Sequence, residues 1–382
     1  MLKSELMICV ILAVLLLLIF FLGKAFSSIK REDQIKTSDM ETPVVIKNLP
    51  NFPRNIEENK KRSPFRYSSD EFQAGMNVII YGHPDTLESR NVFEHLRSLG
   101  INSVAINFPF YQSDWKANEV ITSPIYTPTI EELQAVIEEA HHIGLSVMIR
   151  PIMDEQAFLP SNMWRGQIKP KDPNAWFDSY EKLILTYAML AQSTNAKSLN
   201  IGTELNSMQN QYQNRWMKLI EKVRQVYKGE LVYSFNFDTV HEIHSIEFVK
   251  LLDYIGIDAY FPLELPDYAT TEMLEKEWMR QIKQMKETLW QKPILVTEAG
   301  IIPVAGAYRT PYSGSLPNQR YDPQAQVNYY EATYNVWKPR VQGIYWWGVL
   351  VGQDPNEISF SPLNMPTEKV IKKQFLKGFS NE

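Results

Sequence analysis

The sequence predicts an α/β fold, a (β/α)8 TIM barrel preceded by an N-terminal transmembrane helix and a polar linker. Beyond Glu71, short β-branched or apolar runs alternate with longer amphipathic stretches, as in a parallel sheet with crossover helices. The alternation repeats eight times, which favours a sheet closed into a barrel. A doubly wound open sheet, the rival architecture, usually places a glycine-rich turn after its first strand. Tyr81-Gly82-His83-Pro84 is not such a turn. A length of 382 residues accommodates one barrel, which takes roughly 250 residues, and a tail.

At the N-terminus, Leu6 to Gly23 carries no charge over roughly 18 residues, enough to cross a bilayer core as a helix. Residues 1–26 therefore read as an uncleaved signal anchor. Cleavage near the weak small-residue site Gly23-Lys24-Ala25-Phe26-Ser27-Ser28 is the alternative and would release a secreted protein. Lys3 is outweighed by Lys24, Lys30 and Arg31, which on charge alone places the following chain in the cytoplasm. Residues 27–70 mix Lys, Glu, Asn, Ser and Pro without a sustained period, as a solvated spacer does. The single cysteine, Cys9, lies inside the apolar run, so neither an internal disulfide nor a cysteine metal site is available to the folded part.

Residues 71–382 form the barrel domain. Its strands are expected at Ala74–Tyr81, Ser103–Asn107, Ser146–Pro151, Ser198–Thr203, Leu231–Phe235, Tyr254–Ala259, Ile294–Thr297 and Gly343–Trp347. Helices are expected near 87–99, 129–143, 173–193, 210–227, 243–251, 271–290 and 322–337, with Glu368–Lys377 as the eighth.

A net charge of −5 and the absence of a basic stripe argue against nucleic acid as a partner. Aromatic residues make up 12% of the chain, more than a core of this size needs, which suits a groove whose flat faces stack on sugar rings. In such barrels the active site lies at the C-terminal ends of the strands, and two strands end in glutamate. Strand four reads Leu199-Asn200-Ile201-Gly202-Thr203-Glu204 and strand seven Ile294-Leu295-Val296-Thr297-Glu298. Carboxylates at these two places face each other across the barrel mouth, the arrangement for double displacement at an anomeric carbon. Either glutamate alone reads equally well as a helix cap or a surface ion pair; the pair together does not.

With these motifs the chain resembles the clan A glycoside hydrolases, and within them family 113, whose characterised members include β-mannanases. The resemblance runs from about Phe72 to Lys377. It is carried by Ala105-Ile106-Asn107-Phe108-Pro109-Phe110-Tyr111-Gln112, Trp164-Arg165-Gly166-Gln167-Ile168, Ile201-Gly202-Thr203-Glu204-Leu205, Gly256-Ile257-Asp258-Ala259-Tyr260-Phe261-Pro262, Thr297-Glu298-Ala299-Gly300 and Gly343-Ile344-Tyr345-Trp346-Trp347. It implies a retaining glycosidase in which Glu204 is general acid/base and Glu298 the nucleophile. It also implies that Tyr260 donates a hydrogen bond to Glu298, and that Trp347 is the platform under the sugar at the cleavage point. Arg150 could add positive charge to the same pocket. Many clan members carry Asn where this chain has Thr203, which leaves open how the sugar 2-hydroxyl is held.

Strand alternation turns Trp346 away from the barrel interior. Trp164 and Arg165, on the long loop after strand three, and the loop from Ile301 to Tyr321 are long enough to shape a cleft. Asn107, Asn236 and His83 follow or end strands two, five and one, where each could bond sugar hydroxyls or merely cap a turn. His141-His142 and His241 with His244 have no spacing that completes a metal site. The resulting expectation is a retaining glycoside hydrolase acting on β-linked polysaccharide or oligosaccharide, mannan-like by resemblance, without a cofactor. Such a substrate favours an extracellular domain tethered to the cell membrane, against the charge rule above. A carbohydrate-binding or wall-associated barrel without turnover is the alternative. A Schiff-base aldolase is set aside, because no strand ends in lysine.

Overall fold

The computed structural model describes residues 71–285, 289, 292–353 and 358–376. The expected anchor and linker lie outside the described residues, among which no helix is long and apolar enough to cross a membrane. Eight parallel strands close into a barrel in sequence order: β1 (Gln73–Ile79), β2 (Ser103–Phe110), β3 (Ser146–Met153), β4 (Ser198–Thr203), β5 (Glu230–Asn236), β6 (Tyr254–Asp258), β7 (Ile294–Ala299) and β8 (Gly343–Leu350). β8 pairs with β1 to complete the ring. Every expected strand is present, with β2 and β8 running further toward the C-terminal end of the barrel than their apolar runs indicated.

The longer helices are α1 (Thr86–Ser98), α2 (Ile130–His142), α3 (Pro173–Thr194), α4 (Gln213–Val226), α5 (Thr271–Lys283), α6 (Pro323–Trp337) and α7 (Pro366–Leu376), and a single helical turn, Asn206–Gln209, precedes α4. Their starts follow from local chemistry. Asp85 caps α1 by accepting from the amides of Leu87 and Glu88, and Thr129 with Glu132 forms a reciprocal capping box on α2. Asp172 and Asp322 cap α3 and α6, each followed by a proline whose missing N–H is no loss at that position. The helix expected at 243–251 is instead two 3-10 segments, Phe237–Ser245 and Glu247–Leu251.

Side chains fill the barrel in two layers. Ala105, Met148, Val232, Tyr254, Leu295 and Tyr345 form a small cluster of their own in the barrel interior, while the larger cluster packs the outward strand faces against the helices. The aromatic surplus goes mainly to this outer layer: Trp176, Trp216, Trp278, Trp337 and Trp346 are all fully buried. Trp346 stacks on Tyr330 of α6 at 4.1 Å, the outward packing that alternation predicted.

The regular alternation breaks at three strands. Between Asn200 and Thr203, β4 takes one more residue than β5. β7 takes one more than both neighbours around Thr297 and Glu298, and β8 does the same beside Met76 and Val78. A bulge of this kind re-aims the side chains that follow it. Gly202 lies in the β4 bulge because a Cβ there would come within 2.5 Å of the Tyr233 ring.

Candidate active site

Glu204 immediately follows β4, and its backbone adopts a left-handed φ of 54°. For a residue with a Cβ this costs on the order of 1 kcal/mol. Its amide donates to Ser234 O at 2.9 Å, which pins the turn. The Glu204 carboxylate accepts a hydrogen bond from Asn236 Nδ2 at 2.9 Å and lies 3.7 Å from Arg165 Nη1. Arg165 is itself held by Glu155 at 2.7 Å. Burial raises the Glu204 pKa well above the usual carboxylate range, and the negative charges of Asp258 and Glu298 add to that rise while Arg165 opposes it.

Glu298, on β7, has a different environment. Tyr260 Oη donates to its Oε2 at 2.9 Å, and Arg150 Nη1 meets its Oε1 at 2.5 Å. The β7 bulge allows Thr297 and Glu298 both to address the interior, since Thr297 Oγ1 donates to Asp258 Oδ1 at 2.8 Å. Arg150 is fully buried and clamped: its Nη2 bonds both Asp258 oxygens at 2.9 and 3.0 Å, and its Nη1 bonds Asn107 Oδ1 at 3.0 Å. Burial pushes Asp258 up to about 7, with the Arg150 guanidinium pulling the other way. A fork shared by two carboxylates fixes both in orientation as well as charge.

The structure brings most of the expected residues together, some of them in supporting roles. Asn107 is buried and spends its amide on Asn77 and on the Val78 and Ala105 carbonyls, so it supports Arg150 instead of facing a ligand. Asn236 holds Glu204. Thr203 is 3% exposed with its hydroxyl 3.5 Å from Asn200 Nδ2. Trp347, at the catalytic end of β8, is half-buried, and its carbonyl accepts from Tyr330 Oη at 3.3 Å. Trp164 is half-buried with its ring against Gly166, where a Cβ would meet the ring at 2.3 Å.

His83 does not join the site. Its exposed ring pairs with Glu132 at the start of α2, 2.8 Å away. Asp258, Glu155 and Asn200 were not anticipated as site residues. Asp258 ends a strand exactly as informatively as the two glutamates do, so the same rule of reading strand ends would have found it. Among the described residues, no group of three or more His, Cys, Asp or Glu is placed to hold a metal ion.

A GH113 β-1,4-mannanase of known structure is 21% identical, with a TM-score of 0.69 over 80% of this chain and 99% of that one. A GH113 β-mannanase from Alicyclobacillus acidocaldarius is 22% identical, with a TM-score of 0.69 over 80% of this chain and 98% of that one. The β-glucuronidase of Ruminococcus gnavus is 11% identical, with a TM-score of 0.56 over 80% of this chain and 51% of that one. At these identities the likeness shows a shared fold. Comparison with curated proteins gave no match. The family model of Glycoside Hydrolase Family 113 matches residues 80–355, a span that contains both strand-end glutamates, and the chain belongs to that family of glycoside hydrolases.

Proposed function

We propose that the protein is a retaining β-glycosidase acting on a mannan-like chain, with Glu204 as general acid/base and Glu298 as nucleophile. The observation that carries this reading is the contrast between the two carboxyl groups. Glu204 is held by the neutral amide of Asn236 and has a raised pKa, which suits a group that must begin protonated. Glu298 receives a hydrogen bond from Tyr260 and a charge contact from Arg150, which suits a carboxylate that must attack. Glu204 protonates the glycosidic oxygen as Glu298 forms the glycosyl-enzyme; Glu204, now ionised, then activates the water that releases the sugar. The similar structures, which are those of β-mannanases, support the choice of sugar.

The test is hydrolysis of a panel of β-linked oligosaccharides led by mannooligosaccharides, with product anomers followed by NMR. Retained configuration, abolished in Glu298→Ala and reduced roughly 10²- to 10⁴-fold in Glu204→Ala, is the expected result. Inversion would refute the mechanism, and ligand binding that survives both substitutions without any turnover would favour a carbohydrate-binding barrel.

We also propose that residues 1–26 anchor the chain in the cell membrane with the barrel outside, where a polysaccharide is met. The uncharged run from Leu6 to Gly23 supports the anchor. The full chain is expected in the membrane fraction with its barrel open to external protease, and a chain starting at Ser63 in the soluble fraction. Full-length protein that stays soluble, or is shielded from protease in intact cells, would contradict this.

A further inference from the structure

In a (β/α)8 barrel every crossover helix runs back from the end that carries the active site, so the last helical turns and the loops entering the strands gather around the opposite end, the base. Charge is sorted between these two ends. First helical turns carry Glu88, Glu131, Glu132, Glu272 and Glu368, whereas last turns carry Arg97, Arg224, Arg280, Lys283 and Lys373. Complementing the helix dipole accounts for part of this pattern. It does not account for Lys197, Lys228, Lys292 and Arg340, which lie beyond the helices in the loops entering β4, β5, β7 and β8. In these loops and the strand starts they lead into, the described acids are Glu71, Glu230 and Asp253. Asp253 is engaged by Arg224, Glu71 accepts from Asn102 Nδ2 at 3.2 Å, and Glu230 is half-buried.

The positive charge of the base is open to a partner. Arg97, Lys228, Lys283, Arg340 and Lys372 are exposed, and none of the five forms an ion pair with a described residue. Leu251 and Leu376, at the same end, are 39% and 37% exposed. Long cationic side chains interspersed with exposed leucines suit contact with a headgroup layer, where the charges meet anionic lipid and the apolar groups enter its boundary. No stretch of the sequence shows this face, because closure of the barrel assembles it from separate loops. The chain also enters the barrel here: β1 begins at Gln73, so residues 1–70, with the uncharged run Leu6 to Gly23, join the molecule at its base.

We propose that the base of the barrel is a docking face for a bilayer containing anionic lipid, so that the protein stands on its membrane with Glu204 and Glu298 turned outward. This inference rests on residues 1–26 being the membrane anchor. The anchor keeps the barrel near the surface, and the basic face sets which end points away from it.

The experiment uses the full chain with Cys9→Ala, carrying a fluorescent label on either Ser98→Cys at the base or Thr86→Cys at the other end of α1. The two positions are exposed and roughly 18 Å apart along the helix. Energy transfer to a lipid dye is measured on phosphatidylcholine vesicles with and without phosphatidylglycerol, and flotation reports attachment. With phosphatidylglycerol, the Ser98→Cys label is expected to transfer several-fold more energy than the Thr86→Cys label. That difference is expected to shrink without phosphatidylglycerol and at about 1 M salt, where charges are screened within about 3 Å. It is also expected to be lost when Lys228→Glu, Lys283→Glu, Arg340→Glu and Lys372→Glu are combined, with the melting temperature unchanged. Equal transfer from both labels on anionic vesicles, or a difference that survives the four charge reversals, would overturn the docking face. Flotation with phosphatidylcholine alone tests the anchor separately: protein that floats only with phosphatidylglycerol would keep the docking face and remove the anchor, and protein that floats with neither would remove both. A base label shielded by an acidic polysaccharide but indifferent to phosphatidylglycerol would give the face to an acidic glycan instead.

Discussion

Glu204 concentrates two unfavourable features in one residue: a left-handed backbone and a carboxyl group in a site that disfavours its charge. The second has a measurable sign. Because the folded-state pKa is raised above the ordinary 4.5, folding favours the protonated form. That contribution is complete at pH values below the unfolded pKa and is lost as pH rises through the folded one. Glutamine at this position keeps an acceptor for Asn236 and never ionises. Glu204→Gln is therefore expected to melt a few degrees above wild type at pH 8, with the difference vanishing near pH 4. A difference that is constant across pH would show that the charge is not what the site opposes. Under the proposed role of Glu204 as general acid, the same raised pKa is expected to set the alkaline limb of the activity profile.

At the level of elements, the strands were legible because β-branched and apolar runs of strand length leave few alternatives, and the helix starts because Asp85, Thr129, Asp172 and Asp322 are strong caps. The 3-10 connection after β5 was misread because Val240, Ile243, Phe248 and Val249 are buried at spacings that imitate a helical face. The supporting roles of Asn107 toward Arg150 and of Asn236 toward Glu204 could not be read at all: a strand-end amide looks the same whether it faces substrate or another side chain. For His83, nothing in its position after β1 reveals that Glu132 lies within reach. The loop after β3 offers a test of its own. Trp164 packs on Gly166 without room for a methyl group, so Gly166→Ala must displace the indole. The expected outcome is a several-fold loss of kcat/KM on oligosaccharide with the melting temperature nearly unchanged. An unaltered kcat/KM would mean that Trp164 does not shape the cleft.

For the molecule as a whole, one continuous outer core runs from Ala74 to Phe375, and β8 closes on β1. The chain from Ser63 onward is accordingly expected to unfold in a single cooperative transition; two separated transitions would point to stability supplied from outside the barrel. Closure also explains why the groups of the candidate site come from so many parts of the sequence: Arg150, Glu204, Tyr260, Glu298 and Trp347 are distant along the chain but share one rim. The three bulges bear on how such a rim can vary over time. Each supplies an extra residue on a strand that carries Glu204, Glu298 or Trp347, so the side chains beyond it count in opposite parity to those beneath. Removing one residue there would leave the lower strand seated as before yet turn the functional side chain toward the helices. These strands can therefore accept changes of residue type far more readily than changes of length, and variation in the family is free to accumulate as substitutions below the bulge and insertions in the loops above it.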